Sequence, residues 1–287
     1  MTKKLLSQLG LKWNPFSPQV PVEALLRTPP VESFCWRVEN LAREGGFVLL
    51  TGEPGTGKSV TLRLLVDRLG ALRDVRVGIL SRPQSAIRDF YREMGDLFGV
   101  GLSPHNRWAG TKVLRERWHT HVETALFRPI LIVDEAQEML PAVLNELRLL
   151  SSVDLDSRSL LAVVLAGDGR LTANFRRDDL VSLGSRIRVR LNLEPASSAQ
   201  LAACLRHALE AAGNSRLMTD ELVSALADHA AGNHRILMTL AAELLALAAQ
   251  RELSQLDEKL FFEAFAPMAT ASERDSAAQG RSRRSRR

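Results

Sequence analysis

Apolar residues along this chain fall into two alternating rhythms. Phe47–Thr51, Val75–Ser81, Ile130–Val133, Leu160–Ala166 and Ile187–Leu193 are short runs rich in Val, Ile and Leu. Runs of that length predict strands buried on both faces. Between them, a spacing of three and four residues predicts helices. These cover Val31–Arg43, with Phe34, Val38 and Leu41 on one face, then Val60–Leu72, Ala86–Phe98, Thr111–Ala125 and Pro141–Leu150. Gly45-Gly46 stops the first helix, and turns are expected at Gly99–Pro104 and at Trp108-Ala109-Gly110. Strands alternating with helices predict an α/β fold, a parallel sheet flanked by helices. From Ser198 to Phe265 only helical spacing occurs, which predicts a small all-helical C-terminal lid.

Four segments follow. Residues 1–30 are a lead-in, with a short helix near Lys4–Leu9 and then an extended path through Pro15, Pro18, Pro21, Pro29 and Pro30. Residues 31–195 make the α/β core and 196–266 the lid. In residues 267–287 the composition turns to Ala, Ser, Glu, Arg and Gly, which predicts a disordered basic tail.

Composition changes this picture in a few places. The 287 residues are enough for a core and a smaller domain. Aromatics make up 5% with a single tyrosine, which disfavours a stacking platform for single-stranded nucleic acid. The net charge of +5 is local: residues 281–287 hold five arginines and no acid, and the rest of the chain balances 33 basic against 33 acidic residues. Such a tail is either a solvated end or a contact for polyanions. Cys35 and Cys204 lie far apart with no metal-binding spacing, which fits a reduced, cytoplasmic compartment. The longest apolar stretch, Leu237–Ala249, is interrupted by Glu243 and is too short to span a bilayer, so no membrane partner is expected.

The candidate chemistry sits at two strand ends. Gly52-Glu53-Pro54-Gly55-Thr56-Gly57-Lys58-Ser59 follows an apolar strand and opens an amphipathic helix at Val60. This spacing is that of a P-loop. Its glycines let backbone N–H groups converge on phosphate oxygens, and the helix N-terminus adds positive dipole. Lys58 is expected to reach the β- and γ-phosphates of ATP and Ser59 to ligate Mg²⁺. Ile130-Leu131-Ile132-Val133 ends in Asp134-Glu135, a carboxylate pair delivered beside the phosphates. Asp134 is expected in the Mg²⁺ shell, and Glu135 to orient the attacking water. An adjacent Asp-Glu pair argues for hydrolysis over phosphoryl transfer to a metabolite. Arg186, just before the fifth strand, is placed to reach a neighbouring subunit's γ-phosphate, with Arg176 and Arg177 as competitors. Arg235, at the start of a lid helix, is placed to contact the γ-phosphate from the lid.

Asn14-Pro15-Phe16, the Gly46–Ser59 stretch, Asp134-Glu135-Ala136-Gln137, Ala166-Gly167-Asp168 and Gly232-Asn233-His234-Arg235 together resemble one group of AAA+ ATPases. That group contains the ExeA-like ATPases and the transposition ATPases TniB, TnsC, MuB and IstB. The resemblance covers residues 8–266. It implies Walker A roles for Lys58 and Ser59 and Walker B roles for Asp134 and Glu135. It implies an arginine finger at Arg186 and sensor 2 at Arg235. Sensor 1 falls near Gly167-Asp168, where the usual small polar residue is missing, and Asp168 is the candidate. Transposition relatives bind duplex DNA in the ATP state, assemble into rings or helical filaments and present the target to a transposase. The secretion-type relatives carry a transmembrane segment and a peptidoglycan-binding region, which this sequence does not show. The DNA reading is therefore preferred, with an ExeA-like assembly or secretion ATPase acting on protein partners as the alternative.

A ring on duplex DNA needs basic groups on its inner face. By the resemblance, that face comes from the segment between the second and third strands, which holds Arg82, Arg88, Arg92, Arg107, Lys112, Arg115 and Arg117. Arg107 and Lys112, flanking the expected turn at residues 108–110, are the candidate DNA contacts.

Overall fold

In a computed structural model of the protein, residues 3–101, 107–124, 127–153 and 158–265 are described, the side chains of 3–5 and 107–109 excepted. In chain order the core runs α1 (Lys3–Gln8), α2 (Pro29–Glu44), β1 (Gly46–Gly52), α3 (Lys58–Gly70), β2 (Val75–Leu80), α4 (Ile87–Phe98), α5 (Arg107–Glu123) and β3 (Arg128–Val133). It continues with α6 (Pro141–Ser151), β4 (Ser152–Val153), β5 (Arg158–Ser159), β6 (Ala162–Gly167), α7 (Gly169–Asn174), α8 (Val181–Gly184) and β7 (Ile187–Leu193). The helices α9 (Ser198–Ala212), α10 (Asp220–His229), α11 (His234–Gln250) and α12 (Glu258–Phe265) follow.

Five strands form one sheet in the order β2-β3-β6-β1-β7, every pair parallel. Alternation along each strand divides the core. Phe47 and Leu49 of β1, Leu131 and Val133 of β3, and Val163 and Leu165 of β6 face α4–α8. Val48 and Leu50, Ile130 and Ile132, and Val164 and Ala166 face α2 and α3. The central strands β1, β3 and β6 read as unbroken apolar runs because both faces are covered, whereas the edge strands β2 and β7 carry the exposed Arg76, Arg188 and Arg190. All carboxyl ends of the parallel strands point to one edge, where ligands of such sheets collect. β1, β3 and β6 are neighbours in space and deliver Gly52, Asp134 and Asp168 together.

The helices α9–α12 bury a second core around Leu205, Leu226, Leu244 and Phe261. Their ends are set by local chemistry. Ser197 and Gln200 form a capping box on α9, and Thr219 and Asn233 cap α10 and α11. Leu9, Leu11 and Phe16 of the lead-in pack into this core. Lys12 N donates to Ala212 O over 2.8 Å, and Asn214 Nδ2 donates to Leu9 O over 2.8 Å.

Two features depart from the expected pattern. Residues 108–110 are helical, because α5 already begins at Arg107. Gly110 interrupts the apolar spacing, yet its bare Cα lies against the Tyr91 ring, where a Cβ would come within 3.3 Å. That glycine serves close packing of α5 on α4 and makes no turn. The short helices α7 and α8 and the small antiparallel pair β4–β5 were not expected from the periodicity. Each is too short to show a repeat. The expected tail, 267–287, lies outside the described residues.

Candidate nucleotide site

β1 ends at Gly52 and α3 begins at Lys58, so residues 53–57 form the loop between them. Gly55 and Gly57 have φ of +89° and +104°, backbone that side-chain-bearing residues rarely adopt. The carbonyls of Gly52, Glu53, Pro54, Gly55 and Gly57 are held by donors. Lys58 Nζ donates to Gly52 O over 2.7 Å and to Glu53 O over 3.2 Å. Asn233 Nδ2 donates to Pro54 O over 3.0 Å, and His234 N donates to Gly55 O over 3.0 Å. Thr56 is buried with its hydroxyl on Glu53 O at 2.8 Å, and Thr61 Oγ1 donates to Gly57 O in the first turn of α3. Glu53 is exposed at the rim, and Val60 is partly exposed on α3.

The second half of the site comes from β3. Ser59 Oγ donates to Asp134 Oδ2 over 3.3 Å, so the residues expected to share Mg²⁺ are adjacent. Two hard oxygen donors side by side, at the mouth of a glycine cradle, fit a Mg²⁺ ion that also binds phosphates. When bound, Mg²⁺ neutralises charge developing on the β- and γ-phosphate oxygens. Glu135 has φ of +52°, an unusual conformation for a residue with a side chain. Its N–H donates to Asp134 Oδ1 over 2.9 Å. Its carboxylate Oε2 accepts a hydrogen bond from Gln137 Nε2.

Asp168, expected to sense the γ-phosphate, caps α7 by accepting from Arg170 N over 2.9 Å. Its carboxylate also pairs with the Arg170 guanidinium at 2.8 Å, and that hydrogen-bonded pairing holds its pKa below the usual value. Its N–H donates to Gln137 Oε1 over 3.3 Å. Gln137 was quoted only as part of the Asp-Glu-Ala-Gln signature, and its contacts require the folded turn after β3.

The lid reaches the loop through Asn233 and His234, which the sequence offered only as part of the Gly232-Asn233-His234-Arg235 signature. Asn233 donates to Pro54 O, and its Oδ1 accepts from Arg235 N and Ile236 N, capping α11. A Cβ on Gly55 would collide with Asn233 Oδ1. Arg235 itself is exposed in the first turn of α11, next to this contact. Burial of the His234 ring lowers its pKa. Arg186 lies between α8 and β7, with Nη1 donating to Ser182 O. Arg177 is paired with Asp179 at 3.1 Å, and Arg176 is exposed. Lys112 is exposed on α5, 3.7 Å from Glu116, while the Arg107 side chain lies outside the described residues. Burial pushes the Cys35 and Cys204 thiols up to about 11, which keeps both protonated and unreactive. Among the described residues no His/Cys/Asp/Glu cluster could hold a structural metal, and no helix is long and apolar enough to cross a membrane.

Residues 41–175 match the family model of the AAA domain. The chain carries an AAA+ ATPase domain. That domain's chemistry is ATP hydrolysis with Mg²⁺, and the five-stranded parallel sheet is its fold. The chain is similar to General secretion pathway protein A of Aeromonas hydrophila, 37% identical over 172 residues. That match covers 59% of this chain and 30% of the relative, so the chain spans under a third of that protein's length. Among solved structures it superposes on the Aeropyrum pernix ORC2 protein in its ADPNP–ADP complexes, with a TM-score of 0.70. That superposition has 16% identity and covers 88% of this chain and 70% of the other. The Aeropyrum pernix ORC1 protein in complex with DNA gives a TM-score of 0.63, 20% identity, and coverage of 88% and 68%. At these identities the structural likeness concerns the fold.

Two outcomes follow for the site. Gly55→Ala puts a Cβ into Asn233 and strains the loop, so it is expected to weaken ATP-analogue binding more than Gly70→Ala, whose Cβ meets open space. Fluorescence titration of a labelled nucleotide on the two variants checks this; equal affinities would contradict it. The lowered His234 pKa means that the unfolded chain takes up a proton the folded chain resists. The stability due to this group is full above the unfolded value of 6.5 and is lost as pH falls below it. Replacing His234 by Gln is therefore expected to flatten the fall in Tm on the acid side of neutrality, as read by thermal melts across that range.

Proposed function

We propose that this chain is an ATP-dependent switch that binds duplex DNA without sequence preference as an oligomer and regulates DNA transposition. The observation that carries the switch is the contact of the lid with the P-loop, where Asn233 and His234 hold the Pro54 and Gly55 carbonyls. A loop that wraps phosphates and is also held by the lid links nucleotide state to lid position. Lys58 binds the phosphates, Ser59 and Asp134 hold Mg²⁺, and Glu135 orients the attacking water. Arg235 reads the nucleotide from the lid. Arg186 reads it from a neighbouring subunit, so the ATP state favours assembly and hydrolysis reverses it.

The DNA part of this reading is supported by exposed Arg82, Arg88, Arg92, Lys112 and Arg117 along the segment of α4 and α5. Two are in local ion pairs, Arg92 with Asp89 at 3.5 Å and Lys112 with Glu116 at 3.7 Å. Exposed pairs of that kind are worth little and exchange readily for phosphate contacts. The transposition setting rests on the group that the sequence motifs resemble, and a transposase is the partner it assigns. A second reading, an assembly ATPase acting on protein partners, is favoured by the 37% identity to General secretion pathway protein A.

The test is binding to a random-sequence duplex with a slowly hydrolysed ATP analogue, with ADP and with neither, for the full chain and for a chain ending at Phe265. Binding that needs the analogue, survives loss of the tail and weakens with salt is expected. In the same assay with ATP, Lys58→Ala is expected to lose binding and Glu135→Gln to retain it for longer than the wild type. Binding that ignores nucleotide and vanishes with the tail would overturn the DNA reading and favour the protein-partner one.

A further inference from the structure

The turn after β3 contains a polar side chain that neither Mg²⁺ nor phosphate binding requires. Gln137 is only 9% exposed, and both ends of its amide are used. Nε2 donates to Glu135 Oε2, and Oε1 accepts from Asp168 N over 3.3 Å. A buried primary amide is costly unless its donors and acceptor are satisfied, so these two bonds fix its orientation. The strand β6 makes room for it: a Cβ on Gly167 would collide with Gln137 Oε1. A second tie runs parallel to the first. Glu138 pairs with Arg170 at 2.9 Å, and Arg170 pairs with Asp168. The turn carrying Glu135 is thus bound twice to the start of α7. From there the chain leads through α8 to Arg186.

Glu135 needs such support. Its backbone sits in the left-handed region, where a side-chain-bearing residue persists only when its surroundings hold it. Its carboxylate projects from a short turn, and a water-orienting group must be held within a fraction of an ångström of its working position.

We propose that Gln137 is a positioning residue: its amide holds the Glu135 carboxylate and ties it to the Asp168 N–H at the end of β6. This rests on the reading of Glu135 as the group that orients the attacking water. Gln137 touches no reacting atom. It transmits the position of β6 and α7 to the carboxylate, the role that the expected sensor 1 side chain, Asp168, leaves open by pairing with Arg170.

Two substitutions separate positioning from bulk packing. Gln137→Glu keeps the length and the acceptor facing Asp168 N but replaces the donor by a carboxylate that repels Glu135. Gln137→Met keeps the length and removes both bonds. Both are expected to lower kcat for ATP by about 10–100-fold, the range seen when a supporting hydrogen bond behind a functional group is lost. Nucleotide Kd is expected to stay unchanged, because the phosphates are held by the P-loop. A readout without nucleotide accompanies these. With ¹⁵N-labelled glutamine, the Gln137 side-chain amide resonance, assigned by its loss in Gln137→Glu, is expected to move when Glu135→Ala removes its partner. Wild-type kcat in both Gln137 variants, or an amide resonance that ignores Glu135→Ala, would overturn the proposal. Full turnover by Glu135→Gln would instead remove the role of Glu135 itself, and the proposal with it.

Discussion

The structure depends on how the carbonyls of one short loop are held. A loop that presents its N–H groups to phosphate must turn its C=O groups away, and each of these needs a donor. Here Lys58 takes Gly52 and Glu53, and the lid residues Asn233 and His234 take Pro54 and Gly55. The donors come from the helix that begins at the loop and from a helix nearly two hundred residues further along the chain. The Pro54 and Gly55 carbonyls therefore have these donors only when core and lid are together. Gly55 is where the two requirements meet, since it has a left-handed backbone and no room for a Cβ beside Asn233.

On the other side of the cradle, the sheet order does the positioning. β1 and β3 are separated by β6, so the P-loop, the Asp134-Glu135 pair and Asp168 emerge from three adjacent strands. Neighbouring parallel strands lie about 4.8 Å apart. The side chains at their ends can therefore share hydrogen bonds without a long loop. Ser59 with Asp134, and Glu135 through Gln137 to Asp168, are such links. Arg170 adds a charged clasp between Glu138 and Asp168.

Much of this was legible in the sequence. Buried parallel strands are unbroken apolar runs, and the central strands β1, β3 and β6 were located for that reason; the edge strands β2 and β7 were located by their Val, Ile and Leu content, although exposed arginines interrupt them. The placement of Gly52–Ser59 and Asp134-Glu135 at strand ends, with Ser59 beside Asp134, was legible because the chemistry proposed for them needs fixed residue types at fixed spacing. Less visible were features whose meaning exists only after folding. Gly110 reads as a turn until the Tyr91 ring is seen against it. Asn233 stands in the sequence only as part of the Gly232-Asn233-His234-Arg235 signature, and its Nδ2 on Pro54 O is a contact across the chain that no local pattern encodes. Gln137 stands in the sequence only as the end of Asp134-Glu135-Ala136-Gln137, and the space its buried amide occupies is left by Gly167, thirty residues away. The packing of Leu9, Leu11 and Phe16 into the helical unit was hidden in the same way, since three spaced apolar residues carry no period.

The central claim is that the nucleotide site and the lid are one device, joined at the bonds from Asn233 and His234 to the P-loop. The most direct measurement is hydrogen–deuterium exchange of the backbone at residues 233–236 with Mg²⁺ and a slowly hydrolysed ATP analogue, with ADP, and without nucleotide. The account predicts that exchange there changes with nucleotide state, with the strongest protection in the ATP-analogue state. Saturating nucleotide that protects residues 52–59 but leaves 233–236 exchanging as before would contradict it.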